Sequence, residues 1–477
     1  MNLRPRHLLF AGITILTVGC ITPPRPAPKA PNIVIILADD MGYGDPSCNN
    51  PESKILTPAL DRIAQEGVRF TDAHAPASWC TPTRYGLLTG RYPFRLGRFN
   101  KRCIEADRPT LATMLRGAGY TTGMVGKWHL WFDGRRDAGR DWSQPLRGGP
   151  LDCGFDSYFG IPASLDIQPY YYIRGALPVA PPTDRCETNL SKGHWTDIQG
   201  AFWRKGGVAP GFKHEQVLPD LCAEAVAFLQ QQADAKSGKP FFLYFALPAP
   251  HTPWLPSPKF RGKSAASMYG DFVMQVDDTV GQVLSALDRH DLSRDTLVLF
   301  TSDNGPVWYP KDVEKFGHRS VGPLRGMKSD AFEGGHRMPF FIRWPARLPA
   351  GGVSDRFLCF TDIMATLAAA SGLSMPAGAG QDSVSFLPAL QGQAMPPRGP
   401  TVLKSNATVV RDGRWKLITQ LGSGGFTKPR NVRPVPGGPR GQLYDLSVDI
   451  AETNNLWAKH PDVVARLSRA LEREKAR

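Results

Sequence analysis

The sequence lacks the features that mark several protein classes. Its N-terminal apolar run, residues 8–18, is too short to span a membrane, which takes roughly 20 residues. We find no RNA- or DNA-binding module and no group of His and Cys residues that suggests zinc. With 42% apolar and 21% charged residues, the chain has the composition of an ordinary soluble globular protein. Composition therefore excludes disordered and fibrous classes and names no function.

The first thirty residues are typical of an export segment. Basic residues precede the apolar run, which is the order found in a secretory signal. The run ends on Cys20, in a context that resembles the lipid-attachment site of bacterial lipoproteins, although Thr17 stands where leucine is preferred. Lipidation and simple cleavage both stay open. We predict a signal over residues 1–20, a Pro-rich linker over 21–30, and export to the periplasm or outer cell envelope.

Cysteine is scarce, with eight in 477 residues. Cys20 is the candidate lipid site, and Cys80 lies in a motif described below. The other six are available for disulfides, whose pairing cannot be read from sequence: Cys48, Cys103, Cys153, Cys186, Cys222 and Cys359. The formal net charge of +14 favours acidic polysaccharides or membrane surfaces as partners of an exported chain and not nucleic acid.

Several apolar runs of strand length end in polar residues. Residues 32–38 are apolar without alternation, as in a strand buried on both faces of a parallel sheet, and lead into Asp39 and Asp40. Later runs end on Lys127 and His129, on His251, and on Asp303 and Asn304. Valines and leucines at helical spacing over 273–287 predict a covering helix, so we predict an α/β fold with a large, mostly parallel sheet between helices. In such sheets ligands bind beyond the carboxyl ends of the strands.

Each polar group taken alone has a purely structural explanation. An Asp-Asp pair often caps a helix or lies in a solvated turn. Asp303-Asn304-Gly305 is a typical turn sequence, and a histidine in a Pro-rich loop is usually a surface residue. The placement of four chemically different groups at one predicted edge favours a functional site instead.

Residues 80–84, "CTPTR", and "GRYP" at 90–93 follow the acidic pair. Together they resemble the formylglycine-dependent sulfatases of the alkaline-phosphatase superfamily, of the bacterial arylsulfatase and carbohydrate sulfatase type. The resemblance extends from about residue 31 to the C-terminus, because "GKWHL", "HTPW", "SDNG", "KSDAFEGGHRMPFFIRWP" and "LYDLSVD" occur in the family's order.

The resemblance implies that a maturase converts Cys80 to formylglycine. The hydrated aldehyde supplies one hydroxyl that attacks sulfur and a second that allows sulfate to leave. The resemblance also implies one divalent cation, usually Ca²⁺, and oxygen donors suit such a hard cation. Its implied ligands are Asp39, Asp40, Asp303, Asn304 and the modified residue 80.

The same resemblance implies roles for the remaining polar residues. The catalytic assignments are Arg84 to hold the diol, Lys127 and Lys328 to bind sulfate, His129 as partner of the diol and His251 as acid for the leaving oxygen. Ser164 matches a sulfate-contacting position in some members of the family. No position that we can align is missing, which argues against an inactive, binding-only descendant.

Two regions bear on the substrate. Tyr170, Tyr171 and Tyr172 precede Arg174; we predict that alternate rings stack on a sugar and that Arg174 holds a neighbouring sulfate, with a packed loop or edge strand as the alternative. The basic, Gly- and Pro-rich residues 422–441 are either a flexible surface loop or a lid that contacts further anionic sugar units.

The sequence thus predicts a sulfatase catalytic domain over 31–400 and an antiparallel subdomain with a terminal helix over 401–477. The predicted substrate is a sulfated glycan, with an aryl sulfate as the simpler option. Two other functions stay open at this point. One is phosphonate or phosphodiester hydrolysis on the same fold, and the other is binding of sulfated polysaccharide by a lipid-anchored protein without turnover.

Overall fold

The computed structural model describes Met1, residues 30–134 and residues 139–477. The predicted signal after Met1, the candidate lipid site Cys20 and the linker up to residue 29 lie outside the described residues. In the part that is described, no helix combines the length and apolar character needed to cross a membrane.

The described residues form eighteen strands. In chain order they are β1 (Asn32–Asp39), β2 (Val68–Phe70), β3 (Ala73–His74), β4 (Thr121–Lys127), β5 (Ser157–Ile161), β6 (Ile173–Arg174), β7 (Leu177–Pro178), β8 (Asp184–Cys186), β9 (Gly206–Val208), β10 (Phe241–Pro250), β11 (Thr296–Ser302), β12 (Phe340–Arg343), β13 (Gly352–Ser354), β14 (Leu358–Cys359), β15 (Thr401–Lys404), β16 (Thr408–Asp412), β17 (Trp415–Ile418) and β18 (Gln442–Asp445).

Ten α-helices occur in the same residues. They are α1 (Pro58–Gln65), α2 (Cys80–Thr89), α3 (Leu111–Gly117), α4 (Val217–Ala235), α5 (Ser267–Arg289), α6 (Pro310–Phe316), α7 (Glu333–His336), α8 (Ile363–Ala370), α9 (Leu387–Leu390) and α10 (Pro461–Ala476). Short 3₁₀ helices cover Pro93–Arg95, Leu151–Cys153, His214–Gln216 and Phe360–Asp362.

The main sheet has ten strands in the order β13-β2-β12-β11-β1-β10-β4-β5-β6-β7. Its centre, β11-β1-β10-β4-β5, is parallel, and antiparallel pairs flank it at β12 and β6. Helices α1, α4 and α5 pack on one face, whereas α2, α3 and α8 pack on the other. The predicted α/β class with a large, mostly parallel sheet between helices is confirmed.

Strand β1 shows why its sequence has no alternation. Val34 and Ile36 point into the core with α1, α4 and α5, and Ile33, Ile35 and Leu37 point into the opposite core. All five side chains are fully buried. Because both faces are covered by helices, every position favours an apolar residue, and the first polar side chains appear where the strand leaves the core.

The C-terminal residues form a second, antiparallel sheet, β15-β16-β17-β18. One face packs against α10 through Val410, Leu417 and Leu467. The other face packs against the main domain, where Leu403 and Ile418 join Phe332 in one apolar cluster. The sheet is therefore held between its own terminal helix and the main domain, and the predicted division at residue 400 stays a prediction.

The described core contains no disulfide, because all seven described cysteines are free thiols. Five of the seven are buried. None of the six cysteines that the sequence left available for disulfides is paired in residues 30–134 and 139–477.

A buried ionic cluster joins the second sheet to the main domain. Lys416 of β17 is fully buried, and its Nζ lies 3.0 Å from a Glu333 oxygen and 2.8 Å from a Glu452 oxygen. Burial raises the pKa of Glu333, but Lys416 and nearby histidines hold it well below its usual value. Burial raises the pKa of Glu452 to about 7, although Lys416 opposes the shift. Lys416 is thus shared by two carboxylates, of which Glu333 also lies 3.4 Å from Arg337.

We expect Lys416→Met to lower the free energy of unfolding by about 3–5 kcal/mol, because removing one partner leaves buried charge uncompensated. Urea unfolding measured by circular dichroism checks this. Lys459→Met at an exposed position is the matched control and should change stability by less than about 0.5 kcal/mol. A loss below 1 kcal/mol for Lys416→Met would show that the cluster does not hold the two parts together.

Candidate active site

The carboxyl ends of the parallel strands bring the predicted polar groups together. In sheet order, Asp303 and Asn304 follow β11, Asp39 and Asp40 close β1, His251 follows β10 and Lys127 ends β4. These strands are immediate neighbours, so each contributes its last residues to one small region, as expected for ligand sites in open α/β sheets.

Arg84 connects three of these strand ends. Helix α2 begins at Cys80 and carries Arg84 one turn later on the same face, where the side chain is fully buried. Its Nε donates to Asp303 Oδ2 at 3.0 Å, its Nη1 to the Lys127 carbonyl at 2.9 Å and its Nη2 to Asp39 Oδ2 at 3.1 Å. The guanidinium therefore fixes the carboxylates, and these bonds are additional to the diol-holding role predicted for it.

Two lysines supply further positive charge. Lys127 is fully buried, and its Nζ donates to Asp39 Oδ2. Lys328, which is 9% exposed, donates from Nζ to Asp40 Oδ2 at 2.8 Å. Burial lowers the pKa of Lys328, but Asp40 and the other nearby acidic groups raise it well above its usual value. Lys127 therefore pairs with Asp39, the last residue of β1, and Lys328 pairs with Asp40, the residue that follows.

Cys80 lies among these charges. Its side chain is 7% exposed, and its Sγ lies within 4.8 Å of a carboxylate oxygen of Asp39 and of Asp303. Burial raises the pKa of the thiol, although Lys127 and Lys328 oppose the shift. An unmodified thiol here is protonated at neutral pH and is therefore a weak nucleophile.

The acidic cluster has the oxygen donors that a hard cation needs. Asp39 Oδ1 and Asn304 Oδ1 are buried and have no hydrogen-bond partner within the described residues. The Asn304 amide is oriented by its Nδ2, which donates to Asp40 Oδ1 at 2.6 Å. Buried polar atoms without partners are rare in proteins. The two unpartnered oxygens, with the Asp40 and Asp303 carboxylates beside them, fit a divalent cation such as Ca²⁺ or Mg²⁺.

The pKa values of Asp39 and Asp303 shift in opposite directions. Burial raises the pKa of Asp39, but Lys127, His251 and Arg84 hold it below its usual range. Burial and the neighbouring Asp39 carboxylate raise the pKa of Asp303 to about 7. A cation bound between them would favour the ionised form of both carboxylates.

Two histidines lie at the same edge. His251 Nδ1 lies 2.6 Å from the Thr252 carbonyl oxygen, which makes Nδ1 the donor, and Nε2 lies 3.7 Å from Asp40 Oδ2. His129 has a positive φ of 54°, and its Nδ1 is buried without a partner in the described part of the chain. Burial, Lys127 and other cations lower the pKa of His129 well below its usual value. His129 is therefore neutral.

Ser164 belongs to the loop whose Pro162 is bonded to the His129 backbone. The His129 backbone N–H donates to the Pro162 carbonyl at 3.0 Å, which brings the loop after β5 alongside. The Ser164 side chain is 2% exposed, and its hydroxyl has no hydrogen-bond partner among the residues described. It is available for a ligand, as its predicted role requires.

Sequence reasoning missed Asp166 and Arg204. Asp166 Oδ1 lies 3.9 Å from His251 Nδ1, and its other oxygen accepts a hydrogen bond from Arg204 Nη1 at 2.6 Å. Half of the Arg204 side chain is exposed. The two residues of this pair belong to different loops, so no local sequence pattern predicts it. The one available signal is that Asp166 follows Ser164 by two residues.

The structure does not support the predicted stacking role of Tyr170. The residue is 2% exposed, and its hydroxyl donates to the Arg204 carbonyl at 2.7 Å. Its ring packs against His214 at a centroid distance of 4.6 Å. The expectation that this ring offers a flat face to a sugar is wrong, because the ring is used to support the loop that carries Arg204.

Tyr172 and Arg174 are also engaged elsewhere. The Tyr172 hydroxyl donates to Asp220 at 2.6 Å, and its ring stacks on Phe159. Arg174 forms an ion pair with Glu224 and lies over the same Phe159 ring. Asp220 and Glu224 belong to α4, so the segment packs against that helix, with β6 paired between β5 and the edge strand β7. The structural alternative is therefore favoured over a place at the mouth of the site.

Comparison with known proteins agrees with this geometry. A model of the Sulfatase family matches residues 31–373. An N-acetylgalactosamine-6-O-sulfatase of Bacteroides thetaiotaomicron is 34% identical over 512 residues, which cover 98% of each chain. Arylsulfatase G of Homo sapiens is 36% identical over 77% of this chain and 70% of its own length.

Solved structures give the same result. A sulfatase structure from work on glycosaminoglycan metabolism by Bacteroides thetaiotaomicron has a TM-score of 0.82 and 33% identity, and it covers 94% of this chain and 100% of that one. The phosphonate monoester hydrolase of Agrobacterium radiobacter, at 20% identity and a TM-score of 0.59 over 94% and 95% of the two chains, shares the fold alone. The site and the matches define a sulfuric ester hydrolase. The chain belongs to the sulfatase family.

Proposed function

We propose that the protein removes sulfate from sulfated carbohydrates, with a formylglycine made from Cys80 as nucleophile and with one bound Ca²⁺. The observation that carries this proposal is the position of Cys80 at the first residue of α2, buried between two lysines and the acidic cluster. A protonated thiol in that position is poorly suited to attack. When formed, formylglycine would supply a hydrated aldehyde, of which one hydroxyl can attack sulfur and the other can lose its proton so that sulfate leaves and the aldehyde returns.

The residues that would hold the cation are Asp39, Asp40, Asp303 and Asn304. The unpartnered oxygens of Asp39 and Asn304 support this assignment. When bound, the cation supplies positive charge that favours deprotonation of a nearby hydroxyl and attracts a sulfate oxygen. Arg84 keeps Asp39 and Asp303 at a fixed separation through its paired hydrogen bonds, so the chain itself prepares the ligand geometry.

The chain's own cations and histidines account for binding and proton transfer. Lys127 and Lys328 place two ammonium groups around Cys80, where negative charge develops on sulfate oxygens. Neutral His129 can accept a hydrogen bond from a hydroxyl at residue 80. In His251 the Nδ1 proton is held by the Thr252 carbonyl, which leaves Nε2 as the atom that carries a proton to the leaving oxygen.

The substrate class follows from the relatives and from charge. Curated relatives from Bacteroides thetaiotaomicron and Mus musculus are named for N-acetylgalactosamine 6-sulfate, and this sugar sulfate is the first substrate to test. The net charge of +14 suits an anionic polysaccharide. We also propose export, with a lipid on Cys20 or simple cleavage as the two alternatives, and a maturase as the partner that modifies Cys80.

A basic arm, residues 428–433, supports a polymeric substrate. The segment before it is fixed close to Lys328, because the Thr427 backbone N–H donates to Asp330 Oδ1 at 3.1 Å. From there Lys428, Arg430 and Arg433 are exposed. Burial raises the pKa of Tyr309 in the loop after β11, and Arg430 is near enough to oppose this shift. The arm thus adds exposed cations to a segment that contacts Asp330, two residues after Lys328.

The first experiment compares four substrates on the purified, matured enzyme: nitrophenyl sulfate, nitrophenyl phosphate, a phosphonate monoester and N-acetylgalactosamine 6-sulfate. We expect turnover of the sulfates, with the highest kcat/KM for the sugar, and formylglycine at residue 80 by mass spectrometry.

Cys80→Ala should remove all measurable turnover because the nucleophile is lost. Cys48→Ala, which lies outside the site, should leave turnover unchanged. Full activity with an unmodified thiol, or faster phosphonate hydrolysis, would contradict the proposal.

Chelation tests the cation. We expect EDTA to lower the melting temperature, since a ligand that binds only the folded state stabilises it by about 2.7 kcal/mol at a hundredfold excess over Kd. Asp303→Ala should abolish both the bound metal, measured by elemental analysis, and the EDTA effect. Asp288→Ala, a surface acid paired with Arg62, is the control that should retain both. Stoichiometric zinc in the wild type would refute a Ca²⁺ site.

The basic arm is tested by removing two of its charges. Lys428→Ala with Arg433→Ala should raise KM for a sulfated oligosaccharide about two- to thirtyfold, since exposed charge pairs contribute about 0.2–1 kcal/mol each, and leave kcat/KM for nitrophenyl sulfate unchanged. Lys236→Ala with Lys239→Ala removes equal charge before the amino end of β10, at the opposite edge of the sheet. Equal effects of the two double variants would show that only net charge matters.

A further inference from the structure

A second charged cavity lies away from the active site. Its volume is ≈ 480 Å³, and it is formed by loops of the main domain and by the C-terminal sheet. Five arginines contribute to its wall: Arg337, Arg356, Arg398, Arg411 and Arg414. The described residues that we assign to catalysis do not line it. Pockets for small ligands have volumes of about 300–1,000 Å³, so the space suffices for a ligand larger than one water molecule.

The positive charge of this cavity is only partly compensated. Asp72 lies in its wall and serves three partners at once. Its Oδ2 accepts from Arg411 Nη2 at 3.1 Å, and its Oδ1 lies 2.8 Å from His74 Nε2 and 3.3 Å from Arg337 Nη1. Arg337 also lies 3.4 Å from a Glu333 oxygen, so Arg337 and Arg411 both have a carboxylate partner, and the uncompensated positive charge of the wall comes from the remaining arginines.

The other arginines differ in how fully they are paired. The charge of Arg398 is compensated, because Asp362 accepts two hydrogen bonds from its guanidinium group at 2.7 and 2.8 Å. Arg414 is 59% exposed and reaches a carboxylate only at 3.4 Å. Arg356 has no ion pair with any described residue, and its Nη2 has no hydrogen-bond partner there. Asp355, also in the wall, is exposed. Arg356 and Arg414 are therefore available to an anion.

Arg411 gives the strongest reason to expect a ligand. It is 6% exposed, yet its Nε and Nη1 are buried without hydrogen-bond partners in residues 30–134 and 139–477. Its guanidinium lies 5.4 Å from the centre of the Phe357 ring, which lines the same cavity. Buried N–H groups without acceptors are destabilising. A small rotation toward an acceptor in the cavity would relieve this, and an oxyanion is the acceptor that guanidinium groups bind best.

We propose that this cavity is a second anion-binding site, which takes a sulfo group through Arg356, Arg411 and Arg414. The choice of sulfate rests on the proposed function, because that reaction releases sulfate and its substrates carry further sulfo groups. The affinity for an oxyanion rests on the arginines alone. The sulfo group comes either from free sulfate or from a sulfated sugar unit, and Phe357, Leu446 and Ile450 in the wall offer apolar surface to the latter.

Calorimetric titration with sodium sulfate tests the site. The protein is Cys80→Ala, so turnover plays no part, and the reference titration uses sodium chloride at equal ionic strength, because screening alone changes weak ion binding. We expect two sulfate sites, one at Lys127 and Lys328 and one in the cavity. Adding Arg356→Ala with Arg414→Ala should weaken one site at least tenfold and leave the other unchanged.

Control variants separate this effect from changes of charge or folding. Arg469→Ala with Arg473→Ala removes the same charge from exposed positions on α10 and should leave both sites intact. Arg411→Met should also remove the cavity site; if this buried variant fails to fold, the double variant at half-buried Arg356 and exposed Arg414 still decides. Two unchanged sulfate sites in the double variant would overturn the proposal.

Two further titrations identify the source of the sulfo group. A sulfated disaccharide and its unsulfated counterpart are titrated into the same proteins. Loss of disaccharide binding in the double variant assigns the cavity to the glycan, and loss of sulfate binding alone assigns it to the free ion. Equal binding of the unsulfated sugar, or no effect of the double variant on either ligand, would refute a sulfo site. Because these titrations need no turnover, a failed activity test leaves them interpretable.

Discussion

The active site depends on one buried ionic arrangement, in which the Arg84 guanidinium joins Asp39, Asp303 and the Lys127 carbonyl. Removing these charges from water is costly, and only close pairing with good geometry offsets that cost. The sheet makes the pairing feasible, because β11, β1, β10 and β4 end side by side. The positions of the catalytic groups thus follow from strand order and helix register.

The same arrangement balances the charges of the site. Arg84 and the two lysines offset the charge of the aspartates, so the cluster stays close to neutral before anything binds. A cation and a sulfate ester add charges of opposite sign and can be accommodated together. Electrostatic preorganisation of this kind lowers the cost of reorganisation during reaction.

Much of this was readable from sequence, because the strongest signals are local. An apolar run without alternation predicts a doubly covered strand, and its last residues must emerge at a sheet edge, which located Asp39, Asp303 and Lys127. Asp166 could not be found this way, since its partners lie in distant loops. Tyr170 misled because aromatic residues suit both a sugar and a core, and only tertiary contacts distinguish the two. Lys416 carried no signal, because a buried lysine looks the same in sequence as an exposed one.

The backbone before Cys80 is hydrogen-bonded to the C-terminal sheet. Lys404 of β15 donates to the Pro76 carbonyl and accepts from the Ser78 N–H, both at 2.9 Å, and Ser329 donates to Ser78 at 2.7 Å. Two of these bonds require Lys404, which is synthesised 324 residues after Cys80. At about 5–20 residues per second, translation takes about 16–65 s to cover that distance. The backbone bonds beside Cys80 therefore cannot all form until the first strand of the last sheet has been made.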